Sequence, residues 1–599
     1  MKYSTVAGLV ASLGHSATAS DTSGFDWKNL KPSASLEYTP CYDEFKCAKL
    51  SVPLDWLNNS SSTNGTARAN IAIIALPATV PETDPSFGGT IIMNPGGPGE
   101  SGVEFVLGLG HTSQNIVDAN KHYEILSFDP RGVGLSEPRA DCFNNEYARN
   151  IYNLQSRAMG RLDISTDATR RVASLVGALA ERCGEATGIQ GYMSTASVAR
   201  DMVEIVDQIE ELRNKNATST NAKKMRIRGS SEYPQSSDDV ARIQYWGFSY
   251  GTILGNYFAS MFPGRVGRMM LEGVVNVHDY LKGEWAKNLQ DTDEELNAIW
   301  DGCYDAGSEC PLYKPTDKSG GDIRSRVEKF LSDLQTSPAQ IVDGTYVEEV
   351  TREDVLSRMF SSLYDPIYGW PSMAAGIAEG MEGNFTNLYS ITTAEAYCST
   401  TEPQSYTWKS DSLFGVNCGD AVDQTDMTIS DFQAYVAELN TQSTKFSSIW
   451  STKRLACRAW RYRPKYRFEG PFTSPAAAGS LSSPVAGKPA APILFLSSKL
   501  DPVTPHKNAG AMAADHPGAG VLTQDSMGHG TIKTPSKCKN AYVSKYFETG
   551  ELPPAGTVCE SDCKVFQKCD APTAKRDLSH IPEFSRRGYS PFGPFGISE

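Results

Sequence analysis

The chain is 599 residues long, carries a formal net charge of −14 and holds thirteen cysteines. Its length exceeds what one hydrophobic core usually serves, so two lobes or one core with a large insertion are expected. The acidic balance argues against a nucleic-acid partner and against attraction to anionic membranes, and no apolar run of about 18 residues follows the start, so no membrane span is expected.

The opening "MKYSTVAGLVASLGHSATAS" joins a lysine, a short apolar stretch and the small-x-small "ATA", the pattern of a signal peptide cleaved after Ala19. Residues 1–19 are therefore read as a signal peptide and the protein as secreted. Close cysteine pairs fit an oxidising compartment: Cys41 with Cys47, Cys303 with Cys310, and the Cys559, Cys563, Cys569 cluster. A metal site is the weaker reading, because no Cys-x-x-Cys or His-x-x-x-His spacing accompanies them, and the odd count leaves at least one thiol free or paired between chains. Asn58, Asn59, Asn64, Asn216 and Asn384 each begin an Asn-x-Ser/Thr sequon and are expected glycosylation sites in a secreted eukaryotic protein.

Residues 20–70 read as polar and loop-like, closing on the apolar run "IAIIALPA", an early strand. "GTIIMNPGGPGESG" predicts a second strand running into a glycine-rich loop, and "YEILSFDPRGVGLSEP" a third strand with its own turn. "TASVARDMVEIVDQIEELR" has helical periodicity, and residues 214–240 read as a sequon-bearing surface loop. "RIQYWGF" is then β-branched and aromatic, as a buried strand should be, and "YGTILGNYFASMF" is helical up to Pro263. "RVGRMMLEGVV" predicts the next strand. Strands alternating with helices in this way imply an α/β fold with a mostly parallel sheet and helices on both faces.

From 276 to 488 the alternation stops, and helical segments such as "DEELNAIWDGC", "GDIRSRVEKFLSDLQ" and "ISDFQAYVAELN" take over. It returns at "APILFLSSKLDPVTP" and "AGVLTQDSMGHGT" after a bridge over residues 474–490. The middle block is therefore an insertion between strands of one sheet. The expected division is a core over 20–275 and 489–570, a mainly helical cap over 276–488, and an extended tail over 571–599.

Between the strand "RIQYWGF" and its helix lies Gly247-Phe248-Ser249-Tyr250-Gly251. Strand, Gly-x-Ser-x-Gly, helix is the order of a nucleophile elbow, in which small neighbours let strand and helix approach a strained serine. Such a serine needs a base, an acid to orient the base, and backbone donors for the developing oxyanion. Asp501 stands where a buried strand runs into a turn, and His529, alone among eight histidines, stands in a glycine-flanked loop after the last strand. The order Ser249, Asp501, His529 differs from that of the chymotrypsin and subtilisin folds. The loop "NPGGPGESG" offers an oxyanion donor from Gly96 or Gly97, to pair with the N–H of Tyr250; Pro98 has no N–H to give. No Gly-Lys-Ser/Thr follows it, which counts against a phosphate loop.

"NPGGPGESG", "SFDPRGVGLSEP", "YWGFSYGTILGNYFASMFPGRVGRMMLEGV", "VNCGDA" and "PILFLSSKLDPVTPHKNAGAMA" through "SMGHGT" together resemble the secreted tripeptidyl-aminopeptidase-type serine peptidases, relatives of the prolyl aminopeptidases in the α/β-hydrolase superfamily. The resemblance runs from about residue 40 to 570. It implies an α/β-hydrolase core with a helical cap, the same triad and oxyanion loop, no cofactor, and cleavage of short peptides or single residues from free N-termini. An esterase, lactonase or amide hydrolase acting on a small secreted metabolite is the alternative, so the partner is a peptide or small-molecule substrate. Glu100 departs from the small residue common at its position. An N-terminal ammonium needs a carboxylate, for which Glu272 and Glu100 are candidates; Glu272 is also readable as a structural carboxylate or as a second supporter of His529. Asp293, Glu294 and Glu295 read as a solvated helix face.

Overall fold

The computed structural model describes residues 25–58, 67–162, 165–186, 188–219, 240–343, 346–392, 409–567 and 569. The signal-peptide and tail readings lie outside these residues, as do Asn59 and Asn64. Ten strands form one sheet: β1 (Thr39–Cys41), β2 (Phe45–Pro53), β3 (Arg68–Leu76), β4 (Phe87–Asn94), β5 (His122–Phe128), β6 (Ile243–Phe248) and β7 (Val266–Glu272), then β10 (Leu494–Leu500), β11 (Gly520–Met527) and β12 (Val558–Glu560). The remaining two, β8 (Ala339–Asp343) and β9 (Tyr346–Val350), pair as a separate antiparallel hairpin.

The order across the sheet is β1-β2-β3-β5-β4-β6-β7-β10-β11-β12. From β5 to β12 every pairing is parallel, and β1, β2 and β3 add an antiparallel edge against β5. Central strands β4 to β7 and β10 are buried runs of Ile, Leu, Met, Phe and Trp, as expected where helices cover both faces. The α/β sheet expected from the sequence is therefore the one found.

Two readings are corrected here. Residues 20–70 are not simply loop-like: β2 is nine residues long and mostly buried. Its lysines obscure the pattern, yet Lys49 is buried and pairs with Glu137 at 3.0 Å, while Cys47 is bonded to Cys41. The segment from residue 214 likewise begins as helix, because Thr195–Ser219 is one continuous helix; residues 220–239 lie outside the description.

Between β7 and β10 the chain is mainly helical, with Thr292–Ala306, Gly320–Thr336 and Ile429–Asn440 where the periodicity placed them. The hairpin β8–β9 inside this block was not anticipated. Disulfides join Cys41–Cys47, Cys142–Cys183, Cys303–Cys310, Cys418–Cys457, Cys538–Cys559 and Cys563–Cys569. Cys559 thus leaves its apparent cluster for Cys538 on the neighbouring helix. Among the described residues no helix is long and apolar enough to cross a membrane.

Candidate active site

Strand β6 is buried along its whole length and ends at Phe248. Ser249 then takes φ 53° and ψ −124° before the helix Tyr250–Met261, a backbone state that non-glycine residues seldom occupy. The flanking glycines explain how the turn closes. A Cβ on Gly247 would meet the carbonyl oxygen of Gly251 at 2.4 Å, and one on Gly251 would meet that of Asn94 at 2.6 Å. The turn is held by Ser249 N–H donating to the Glu272 carbonyl at 3.0 Å, and by the Thr252 N–H and hydroxyl donating to the Ser249 carbonyl at 2.8 and 2.6 Å.

The loop after β4 lies against this elbow. Gly96 has φ 104°, and a side chain there would meet the Phe248 carbonyl at 2.5 Å and both Ser249 Cβ and Tyr250 N at 2.9 Å. Gly97 also has φ 104° and is half-buried, whereas Glu100 beyond it is buried. Asp129, at the end of β5, holds this loop from behind: its carboxylate accepts the Ser101 hydroxyl at 2.7 Å, Val103 N–H at 3.0 Å and Leu135 N–H at 2.7 Å. Both glycine-rich turns are therefore tied to one buried acid.

Asp501 follows β10 and is fully buried. Its Oδ1 accepts Val503 N–H at 3.0 Å and Thr504 N–H at 2.7 Å, and its Oδ2 accepts Gly530 N–H at 2.9 Å. His529 Nδ1 stands 3.0 and 3.1 Å from the two oxygens. Burial opposes ionisation of Asp501, but the facing His529 and the hydrogen bonds from His529, Thr504 and Gly530 outweigh it and hold the carboxyl below its ordinary range. An ionised carboxylate only accepts, so His529 carries a proton on Nδ1 and donates it to Asp501.

Several side chains around this pair had no sequence signal. The Ser498 hydroxyl bridges the Gly528 and Gly530 carbonyls at 2.6 and 2.9 Å, fixing both sides of His529. Thr504 Oγ1 lies 3.0 Å from His529 Nδ1. Tyr364, from the helical block, accepts the His529 N–H on its carbonyl at 3.0 Å and sets its ring edge-on to the imidazole at 5.1 Å. Burial, then the charges of Asp501 and Glu100, raise the Tyr364 hydroxyl well above its ordinary range.

Glu272 sits in a buried hydrogen-bond network. It is fully buried; Oε2 accepts Trp246 Nε1–H at 2.9 Å, and Oε1 accepts the Thr531 hydroxyl at 2.9 Å and the Thr531 N–H. Oε1 thus holds the loop after His529 and Oε2 ties the carboxylate to β6, which supports the structural reading of Glu272 over ammonium binding. The solvated-face reading fails in part: Glu294 is exposed, but Asp293 accepts the Ser443 hydroxyl at 2.5 Å and Glu295 is fully buried. Burial, then the charges of Asp501 and Asp291, push the Glu295 carboxyl well above its ordinary range. Asn58, Asn216 and Asn384 are exposed.

Ser249, the Gly96–Gly97 turn, Asp501 and His529 leave the carboxyl ends of β6, β4, β10 and β11, on one edge of the sheet. Residues 442–559 match the family model described as TAP-like protein. The chain is 26% identical to the serine protease Hip1 of Mycobacterium tuberculosis over 88% of this chain and 91% of that one. It is 25% identical to carboxylesterase B of the same species, over 86% of each chain. With the tripeptidyl aminopeptidase of Streptomyces lividans it shares 23% identity over 90% of this chain and 86% of the relative.

Proposed function

We propose that the chain, whose residues 442–559 match the TAP-like family model, acts as a secreted serine exopeptidase on free peptide N-termini. The observation that carries this reading is the placing of the Ser249 elbow, the Gly96–Gly97 turn and the Asp501–His529 pair on one sheet edge. In the proposed reaction Ser249 Oγ attacks the scissile carbonyl carbon while His529 Nε2 takes the hydroxyl proton. The N–H groups of Tyr250 and Gly97 hold the oxyanion. His529 passes the proton to the leaving amine, and water repeats the sequence on the acyl-enzyme. Asp501 remains ionised and keeps the imidazole oriented.

Glu100, buried beside the Gly96–Gly97 turn, is the proposed anchor for the ammonium. The helical block between β7 and β10, which supplies Tyr364 to the site, is proposed as the lid that admits a few residues and blocks longer chains. Among the described residues, six disulfides and three exposed sequon asparagines support secretion. The test compares kcat/KM for a tripeptide chromogenic amide, its N-acetyl form and a p-nitrophenyl ester. Removing the ammonium should cost about 2–5 kcal/mol of transition-state binding, as for a desolvated charge pair losing one partner. Equal values, or faster cleavage of the acetylated form, would favour the esterase or metabolite-hydrolase reading, which the carboxylesterase relative keeps in view.

A further inference from the structure

The "VNCGDA" segment ends the helix Lys409–Asp420, and its aspartate reaches the residue beside the nucleophile. Asp420 is buried; Oδ1 accepts Thr195 N–H at 3.0 Å, and Oδ2 accepts the Tyr280 hydroxyl at 2.8 Å and the Thr195 hydroxyl. The Thr195 oxygen also contacts the Tyr250 hydroxyl. Each proton in this chain has one place to go. A carboxylate only accepts, so Thr195 donates to Asp420 and accepts from Tyr250.

Three parts of the chain therefore meet on the Tyr250 ring. Thr195 starts the long core helix, Tyr280 lies tilted against the ring at 5.8 Å between ring centres, and Asp420, which reaches the ring through Thr195, comes from the helical block. The block's helix end is fixed in turn. Arg463 donates to the carbonyls of Cys418 and Ala421 at 2.8 and 2.6 Å, Arg467 donates to that of Asp420 at 3.1 Å, and Cys418 is bonded to Cys457.

We propose that Asp420 is a positioning residue for the oxyanion site: through Thr195 it locks the Tyr250 side chain, and so the direction of the Tyr250 peptide N–H, only when the helical block is docked. The inference rests on the reading of Tyr250 N–H as an oxyanion donor. A displacement of a few tenths of an ångström there weakens a bond that matters most in the transition state. The lid thereby sets the rate of the chemical step as well as access.

The experiment compares Asp420→Asn, Thr195→Val, Thr195→Ser and Tyr250→Phe in the full chain. It measures kcat and KM, melting temperature, affinity for a peptide aldehyde that forms a tetrahedral adduct, and labelling of Ser249 by a fluorophosphonate. Asp420→Asn and Thr195→Val should lower kcat about ten- to a hundredfold with KM within about twofold, and weaken the aldehyde by the same factor. Thr195→Ser, which keeps the hydroxyl, should restore both. If Asp420→Asn fails to fold, the valine and serine pair decides alone. Raised KM at unchanged kcat, or unchanged aldehyde affinity in folded Thr195→Val, overturns the proposal while leaving the serine-hydrolase reading intact. A wild-type chain that the fluorophosphonate does not label at Ser249 overturns both.

Discussion

Ser249 combines a positive φ with a half-buried side chain at the mouth of a fully buried strand. Its hydroxyl can be removed without disturbing packing, so Ser249→Ala should melt with the parent while hydrolysis falls by at least about a thousandfold. Asp501→Asn should lose about three decades or more, since an amide can present its N–H₂ to Nδ1 and so select the wrong imidazole tautomer. Glu272→Gln separates structure from chemistry. It should cost about 1–3 kcal/mol of stability through the bonds to Trp246 and Thr531, yet leave the ratio between free and N-acetyl substrates unchanged. Glu100→Gln should do the reverse. Melting curves and kcat/KM ratios on the same preparations would check both variants. At this scale Ser249, Asp501 and His529 were legible because each sits in a local pattern of strand end and glycine. Ser498, Thr504 and Tyr364 were not, because their partners are distant in sequence or are backbone carbonyls, which leave no mark in a one-dimensional pattern.

Strands with unbroken apolar runs, β3 to β7 and β10, were readable from composition and turn residues. Strand β2 was not, because Lys46 and Lys49 mimic a solvated segment until Lys49 is seen against Glu137. The hairpin β8–β9 was hidden for a different reason: Val342 and Val347 are exposed, so its few apolar positions do not mark a buried face. Two element-level consequences can be measured. Gly96→Ala should displace the oxyanion loop from the elbow, since the added carbon would lie 2.9 Å from Tyr250 N; kcat should fall about a hundredfold with little change in KM. The helix Lys507–Asp515 ends on His516, whose Nε2 faces Asn256 Oδ1 at 2.8 Å and whose Nδ1 faces the Ser474 hydroxyl at 2.9 Å. Burial, partly opposed by Asp515, depresses His516 from 6.5 to about 4. The unfolded chain then binds the extra proton first. Stability from this group is complete above about pH 6.5 and is lost as pH falls toward 4, by about 3 kcal/mol at most. Asp279 and Asp420, raised to about 6 by burial, titrate in the opposite sense over part of that window. The difference in melting temperature between parent and His516→Gln across pH 7 to 4.5 isolates the histidine, and a constant difference would refute the assignment.

Across the whole molecule the sheet closes over a long detour. Strand β7 pairs directly with β10, although residues 273–493 lie between them in sequence. The return to the sheet was visible as renewed alternation of strand and helix; the contacts that seat the intervening block, such as Thr292 hydroxyl to the Pro502 carbonyl at 2.7 Å and Asn288 to the Val503 carbonyl at 2.8 Å, were not. They join polar side chains to distant backbone, and no periodicity encodes them. The same detour orders events in time. Ser249 belongs to the stretch before the gap, whereas Asp501 and His529 come after it, so the proposed triad cannot assemble until the longest loop in the sheet has closed. Loop-closure entropy must be met before that pairing gives any return, which makes it a late step. On dilution from denaturant with the disulfides kept intact, far-ultraviolet ellipticity should therefore recover ahead of hydrolytic activity, and tryptophan fluorescence from Trp246 on β6 should change before the first turnover is seen.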